Sequence, residues 1–173
     1  MATASPILPE YEATRAIVAQ RNTNRNCQTI EAMVDGFARQ DIDSIMALIA
    51  DDAVYCDILG KGTRGDEYCG KNAIRRAFAR QFDLGGRHIY LNPKIIVEGE
   101  CAFASWTMVI GDPADSKAPR FEGIDEFVFN AQGQITLKKA WLKGHSRLRR
   151  VMLGHNPSAL IRNFHYVLSS MTR

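Results

Sequence analysis

The chain has 173 residues, a formal net charge of +3 at pH 7, and a composition of 46% hydrophobic and 24% charged residues. This length is typical of one domain, and the composition is that of a soluble globular protein. No apolar run approaches the roughly 20 residues that a membrane-spanning helix needs. Residues 1–10 lack the basic and apolar segments of a secretory signal. We therefore expect a single-domain cytoplasmic protein that does not enter the membrane.

The charge is unevenly distributed along the chain. From Lys138 to Arg173 there are 8 Lys or Arg residues and no Asp or Glu. A basic tail after an acidic body can indicate nucleic-acid binding. However, aromatic residues do not alternate with the basic cluster at residues 147–150, as they do on surfaces that stack single-stranded bases. We expect instead that the tail packs on its own domain or on a partner subunit.

The cysteines and histidines show no spacing typical of metal ligands. The histidines near the C-terminus lack the i, i+4 spacing of helical ligands, and no two cysteines form a C-x-x-C pair. The glycines of residues 60–70 match neither a phosphate-binding loop nor a dinucleotide-binding fingerprint. We expect reduced thiols, no metal and no cofactor. The cysteines are Cys27, Cys56, Cys69 and Cys101.

The N-terminal part of the chain changes from polar to amphipathic. Residues 1–25 contain three prolines or serines near the start and then a polar run, and we expect a loose arm with a short helix around residues 11–20. Apolar residues then recur at helical spacing, which predicts an amphipathic helix over residues 27–39. These apolar residues are Ile30, Met33, Val34 and Phe37.

A second helix, a strand, a loop and a third helix are predicted next. Asp41 or Asp43 can cap the second helix. A strand over residues 53–57 follows, then a glycine-rich loop over residues 60–70 and a helix over residues 72–82. The positions that the second helix would bury are Ile42, Ile45, Met46 and Ile49.

The second half of the chain reads as strands separated by short turns, which predicts an antiparallel meander. The fold class is therefore α+β, with N-terminal helices packed on a strongly curved, mostly antiparallel sheet. We place the domain at residues 26–145, between an arm at 1–25 and a basic helical extension at 146–173. The four strands are predicted over residues 88–98, 101–111, 120–130 and 134–143.

Side chains of the third strand of this meander alternate between two faces that both carry apolar groups. Asp125 and Phe127 share one face, and Ile124 and Val128 share the other. The helices of the chain can cover one face only. A second subunit is the simplest cover for the outer face, so we expect a homodimer.

Two carboxylates are expected to share an apolar pocket with a tyrosine. Tyr55 and Asp57 lie on one face of the first strand, and a curled sheet would bring them near Asp125. A carboxylate that faces apolar side chains is costly to ionise, so one carboxyl can act as a general base while another donates a hydrogen bond. The residues expected to contact a substrate are Met33, Phe37, Phe78, Phe82, His88, Phe127 and Trp141.

Each aspartate also has a structural interpretation. Asp57 could cap a turn before the glycine-rich loop. Asp125 could pair with a neighbour on the next strand, such as Lys139.

Two segments resemble known families. Residues 50–60 (ADDAVYCDILG) resemble the segment of bacterial ketosteroid isomerases that ends in their proton-shuttling aspartate. Residues 123–135 (GIDEFVFNAQGQI) are similar to the late hairpin of those isomerases and of SnoaL-like polyketide cyclases. The resemblance spans about residues 27–143 and implies a cone of the nuclear-transport-factor-2-like kind. It also implies that Asp57 is a proton shuttle and that Asp125 is an oxyanion donor or the acid/base.

The sequence departs from the isomerases at their hydrogen-bonding tyrosines. Their principal oxyanion tyrosine corresponds to Met33, and two supporting tyrosines correspond to Ile49 and Ala79. We therefore do not expect a steroid isomerase, although Tyr55 could help to orient a substrate. The function expected is a cofactor-independent acid/base enzyme of the isomerase, cyclase or dehydratase type, acting next to a carbonyl on a small apolar cyclic substrate. The alternative is a non-catalytic ligand-binding or assembly module of the same fold.

Overall fold

The N-terminal helices pack against one six-stranded sheet in the computed structural model, which describes residues 9–60, 63–85, 88–144 and 157–164. This is the α+β arrangement predicted from the sequence. The helices are α1 (Pro9–Arg39), α2 (Ile42–Ala47), α3 (Lys71–Gly85) and α4 (Pro157–Arg162). The strands are β1 (Ile49–Cys56), β2 (Glu67–Cys69), β3 (His88–Glu98), β4 (Cys101–Ile110), β5 (Arg120–Phe129) and β6 (Ile135–Leu142).

The sheet is mixed, with the order β2-β1-β6-β5-β4-β3. Strands β3 to β6 form the predicted antiparallel meander, and β1 pairs with β6 in parallel. In this register Asp125 lies opposite Ala104 on β4 and Ala140 on β6. Small neighbours on both sides leave room for the groups that approach the Asp125 carboxylate.

Helix α1 is longer than the sequence suggested. It runs without a break from Pro9 to Arg39, so the helix expected around residues 11–20 is present, but the irregular segment expected between it and residue 27 is not. Residues 1–8 lie outside the described residues. The polar run near residue 25 has partners on the sheet: Asn26 is buried, and its Nδ2 donates to the Gly99 carbonyl at 3.0 Å. Thr29 Oγ1 donates to the Gly133 carbonyl at 3.2 Å. Polarity therefore reflected tertiary hydrogen bonds here rather than a loop.

The segment around β1 agrees with the prediction at the cap of α2 and differs from it on both sides of the strand. Asp41, one of the two predicted caps, caps α2, because the Ser44 backbone N–H donates to its Oδ1 at 3.1 Å. Ile49 is buried as expected but begins β1 instead of ending a helix. Within the predicted glycine-rich loop, β2 pairs antiparallel with β1, and Gly65 approaches the Asp57 carbonyl too closely for any side chain.

The described part of the C-terminal extension contacts its own domain. Arg162 Nη2 on α4 lies 2.6 Å from Asp83 Oδ1 on α3, and Asn163 Nδ2 donates to Asp83 Oδ2 at 2.9 Å. The rest of the predicted extension, including the break at residues 154–157 except Pro157 itself, lies outside the described residues. Among the described helices, none combines the length and apolarity required to cross a membrane.

A glycine on β5 makes room for a tryptophan on β4. A Cβ atom on Gly123 would lie only 2.2 Å from Trp106 Cη2. We expect Gly123→Ala to lower the free energy of unfolding by about 1–3 kcal/mol, because overpacking displaces either the indole or the strand. Urea unfolding of the single variant, and of the same change in a Trp106→Leu background, measures this. An equal cost in both backgrounds would contradict a clash with the indole.

Candidate functional site

A cavity opens between helix α1 and the concave face of the sheet. Its volume is about 750 Å³ with the mouth included, and its walls are largely apolar. Each strand from β3 to β6 contributes alternate side chains to it. Six residues singled out from the sequence line this cavity: Met33, Phe37, Tyr55, His88, Asp125 and Phe127.

Two predicted substrate contacts support the wall without lining it. The Phe78 and Phe82 rings pack edge-on against Phe37, with centroids 5.1 and 5.6 Å away. Phe78 is completely buried. These rings therefore fix the position of Phe37, which does face the cavity.

Trp141 is on the opposite face of the sheet from the cavity, which corrects the expectation that it contacts substrate. Its side chain is half exposed, and it pairs across strands with the exposed Ile124. The reason is strand alternation: on β6, Lys138 and Ala140 face the cavity, so Trp141 must face outward.

Asp125 is buried at the cavity wall with a donor at each carboxylate oxygen. The Trp106 Nε1–H donates to Oδ2 at 3.0 Å, and Lys138 Nζ lies 2.8 Å from Oδ1 as an ion pair. The expected partner Lys139 instead pairs with Glu126 on the outer face, at 3.1 Å. The Trp106 indole N–H and the Lys138 ammonium can only donate, so neither of these neighbours can accept a hydrogen bond from Asp125.

Lys138 is a charged group inside the apolar wall. Its side chain is 8% exposed, and its Nζ lies 5.4 Å from the centre of the Tyr55 ring and 5.6 Å from that of Phe127. Contact with ring faces and with Asp125 offsets part of the cost of removing the ammonium from water. Lys138 was not singled out from the sequence, because placing Trp141 inward turns Lys138 outward by strand alternation.

Asp57 lies at the end of β1 and reaches the cavity indirectly. It accepts a hydrogen bond from the Tyr55 hydroxyl at 3.2 Å and from the Leu59 backbone N–H at 3.4 Å. The hydrogen bond from Leu59 makes Asp57 a turn cap, which was its alternative structural role. The hydrogen bond from Tyr55 connects Asp57 to a residue that lines the cavity. Of the two aspartates, Asp125 lines the cavity, and Asp57 contacts a residue that lines it.

Tyr90 is a further cavity residue that the sequence analysis did not single out. Its ring packs edge-on against Trp106, with centroids 5.1 Å apart. Loss of water around the hydroxyl, together with the charges of Asp125 and then Asp57, raises the pKa of Tyr90 well above its ordinary value. The hydroxyl therefore stays protonated and remains a hydrogen-bond donor. Tyr90 is two residues from His88 on β3, so both side chains lie on the same face of the strand. This spacing could have identified Tyr90 from the sequence.

The described residues contain no group of three or more His, Cys, Asp or Glu side chains that could hold a metal ion. The cysteines are unpaired, with Cys56 buried and Cys69 and Cys101 exposed. The polar side chains that line the cavity are Tyr55, Gln81, His88, Tyr90, Trp106, Asp125 and Lys138.

This fold and cavity are those of a known family. The model of the SnoaL-like domain matches residues 30–138, which is more than half of the chain. The chain therefore belongs to the SnoaL-like domain family, within the nuclear-transport-factor-2-like superfamily. No protein of curated function matches it in sequence.

Solved structures with the same fold include several associated with polyketide chemistry. A candidate polyketide cyclase from Xanthomonas campestris pv. campestris is 19% identical over 75% of this chain and 98% of its own, with a TM-score of 0.61. TerC, co-crystallised with polyporic acid, is 14% identical over 74% and 98%, with a TM-score of 0.59. SalBIII, an epoxide hydrolase/cyclase-like enzyme of pyran ring formation in salinomycin, is 16% identical over 70% and 93%, with a TM-score of 0.56. At these identities the likeness shows the fold alone.

Proposed function

We propose that the protein is a cofactor-independent acid/base enzyme that moves a proton next to a carbonyl group on a small, mostly apolar cyclic substrate. Isomerisation, aldol cyclisation and dehydration all pass through an enol or enolate, so one site can serve any of them. The observation that carries the proposal is Asp125, a carboxylate 7% exposed in a cavity walled by aromatic rings. A base in such a place is protected from water and positioned against an apolar substrate.

Of the two roles that the resemblance implies for Asp125, the structure favours the acid/base over the oxyanion donor. Asp125 contacts the cavity directly and faces two donors, so in this proposal it removes the proton from carbon and later releases it to solvent. Asp57 acts through the Tyr55 hydroxyl, which lies between it and the cavity. Tyr55 would pass its hydroxyl proton to the substrate, and a solvent proton taken up by Asp57 would restore the hydroxyl, which completes an isomerisation or releases a product.

The family and its structural neighbours support a carbonyl-rich substrate. Polyketides carry carbonyl groups on alternate carbons, and several of the structural neighbours are candidate polyketide cyclases or cyclase-like enzymes. The apolar walls of the cavity suit a mostly apolar ring. The substrate in this proposal is therefore a cyclic ketone or diketone.

The proposal is tested by exchange of solvent deuterium into a panel of cyclic ketones and polyketide-like diketones. Nuclear magnetic resonance or mass spectrometry detects deuterium next to the carbonyl and does not require the natural substrate. Exchange by the wild type that Asp125→Asn abolishes would support the proposal. No exchange across the panel by a folded wild type would favour the ligand-binding or assembly module instead.

The relay through Tyr55 makes a separate prediction. We expect Tyr55→Phe and Asp57→Asn each to slow proton return by about 100-fold, at the lower end of the range for general acid/base groups. Because both residues act in one chain, the double variant should be no slower than either single variant. Single-turnover measurement of isomerised product against exchanged substrate separates proton return from proton removal. Fully additive losses would contradict the relay.

We also propose a homodimer through the outer face of the sheet. Large apolar side chains are exposed there: Ile96, Phe103, Ile124 and Trp141 are 70%, 47%, 46% and 49% exposed. Such a row on strands β3 to β6 is costly to leave in water. We expect Trp141→Asp with Ile124→Asp to convert a dimer to a monomer in sedimentation velocity, while Ser116→Asp, in the exposed turn before β5, has no effect. A wild type that sediments as a monomer would contradict this proposal.

A further inference from the structure

The proposed reaction leaves one charged group of the cavity without a role. Lys138 projects from β6 into the wall, where its side chain is 8% exposed and its Nζ lies 2.8 Å from Asp125 Oδ1. An ammonium has three N–H donors. Asp125 can engage one of them, and the rings of Tyr55 and Phe127 flank the group at 5.4 and 5.6 Å.

The groups around Lys138 suit an electrostatic role. A carboxylate in contact and two aromatic faces are partners that attract a cation. They hold the Nζ between Asp125 and the two rings, where its remaining N–H donors can meet a substrate oxygen in the cavity.

We infer that the Lys138 ammonium binds the carbonyl oxygen of the substrate and stabilises the negative charge that develops on it. This inference rests on the proposed proton-transfer function and deepens it. The carbon that loses the proton and the carbonyl oxygen are separated by one atom, so the base and the cation that serve them must be neighbours. Asp125 and Lys138 are neighbours of this kind.

The step balances within the site. The proton passes from carbon to Asp125, and the C–H electron pair moves into the C–C bond as the carbonyl π electrons move to oxygen. The resulting enolate oxygen faces the Lys138 ammonium, whose charge it partly neutralises. Return of a proton to carbon regenerates the carbonyl. Trp106 holds Asp125 Oδ2 at 3.0 Å, so the base keeps its place while its Oδ1 side changes charge.

The pair also limits the substrate class. The charges of Lys138 and Asp125 cancel before substrate enters, and the surrounding wall is apolar. A carboxylate substrate would bring an unpaired charge into this wall, which is costly. The substrate class is therefore a neutral ketone or diketone that becomes anionic only during the reaction.

Substituted phenols of graded acidity are the probe for this inference, because a phenolate resembles an enolate and differs in ultraviolet absorbance from its phenol. We expect the Asp125→Asn variant, in which the Lys138 ammonium has no carboxylate partner, to bind the more acidic phenols as phenolates. Asp125→Asn serves as the reference, so that no variant in the comparison buries an unpaired carboxylate. The double variant, Asp125→Asn with Lys138→Met, then removes the ammonium from this reference. Loss of Lys138 should weaken phenolate binding roughly 10- to 100-fold, the range for a charged hydrogen bond.

Lys139→Met is the matched control, since Lys139 is adjacent in sequence but pairs with Glu126 on the other face. It should leave phenolate binding and deuterium exchange unchanged. Equal phenolate affinity with and without Lys138, or phenols that bind the Asp125→Asn variant only in neutral form, would overturn the inference. So would borohydride trapping of a ketone on Lys138, which would make the amine a nucleophile.

The same experiments separate this inference from the proposed function. If Asp125→Asn abolishes deuterium exchange while Lys138 makes no difference to phenolate affinity, the inference fails and the acid/base proposal stands. If phenolate binding depends on Lys138 but the wild type exchanges no ketone, the anion site stands and the acid/base proposal fails.

Discussion

Asp125→Asn is expected to reduce the rate of deuterium exchange by about 10²–10⁴-fold, because an amide has no basic oxygen able to take the proton from carbon. The amide keeps the size of the side chain and an oxygen that can accept from Trp106 or Lys138. Substrate affinity should therefore fall far less than the turnover rate. Rates measured across substrate concentrations at a fixed pH separate the two quantities.

Glu126→Gln is the matched control for that prediction. Glu126 is the next residue on β5, faces outward, and pairs with Lys139 at 3.1 Å. Glu126→Gln removes one negative charge, as Asp125→Asn does, but outside the cavity. The rate of deuterium exchange should therefore be unchanged. If Asp125→Asn retains exchange within about twofold of the wild type, Asp125 is not the base, since such groups contribute far more.

Lys138→Met alone is expected to lower the free energy of unfolding by about 3–5 kcal/mol. The side chains of Lys138 and Asp125 are only 8% and 10% exposed. Removing one partner leaves the other charge buried without compensation, and that penalty exceeds the lost attraction itself. Denaturation in urea, followed by fluorescence of Trp106 near the pair, measures the loss.

Two variants test whether the unpaired charge is the cause. Asp125→Asn with Lys138→Met replaces both charges by neutral groups of similar size, and should recover most of the lost stability. Lys139→Met breaks a more exposed pair, whose side chains are 25% and 22% exposed, and should cost no more than about 1 kcal/mol. A double variant as unstable as Lys138→Met would show that the loss comes from packing rather than charge.

Much of the fold could be predicted from the sequence because it depends on local patterns. The meander of β3 to β6 followed from strands punctuated by short turns, and α3 followed from apolar residues at helical spacing. The failures had a common cause. The polar run near Asn26 was interpreted as irregular, but its hydrogen bonds go to Gly99 and other sheet turns distant in sequence. Local polarity cannot distinguish such contacts from exposure to water.

The candidate site was predictable in part for the same reason. Strand parity placed Tyr55, Asp125 and Phe127 on faces that do meet at one cavity. Parity alone showed only that Lys139 and Trp141 share one face of β6 and that Lys138 and Ala140 share the other. The choice between Lys138 and Lys139 required the stagger of β6 against β5, which puts Lys138 opposite Phe127 and diagonal to Asp125. The alternating pattern alone does not contain that stagger.

The sequence by itself determined the fold class and the family, because these follow from periodicity along single elements and from two short segments that resemble the family. Only the tertiary structure decided which of the two predicted aspartates lines the cavity and what surrounds it. Trp106 on β4 and Lys138 on β6 both reach Asp125 on β5. Gly123 leaves room for the Trp106 indole because it has no side chain. Hydrogen bonds and ion pairs depend on distances between elements, and those distances are set when the sheet curls and packs on α1.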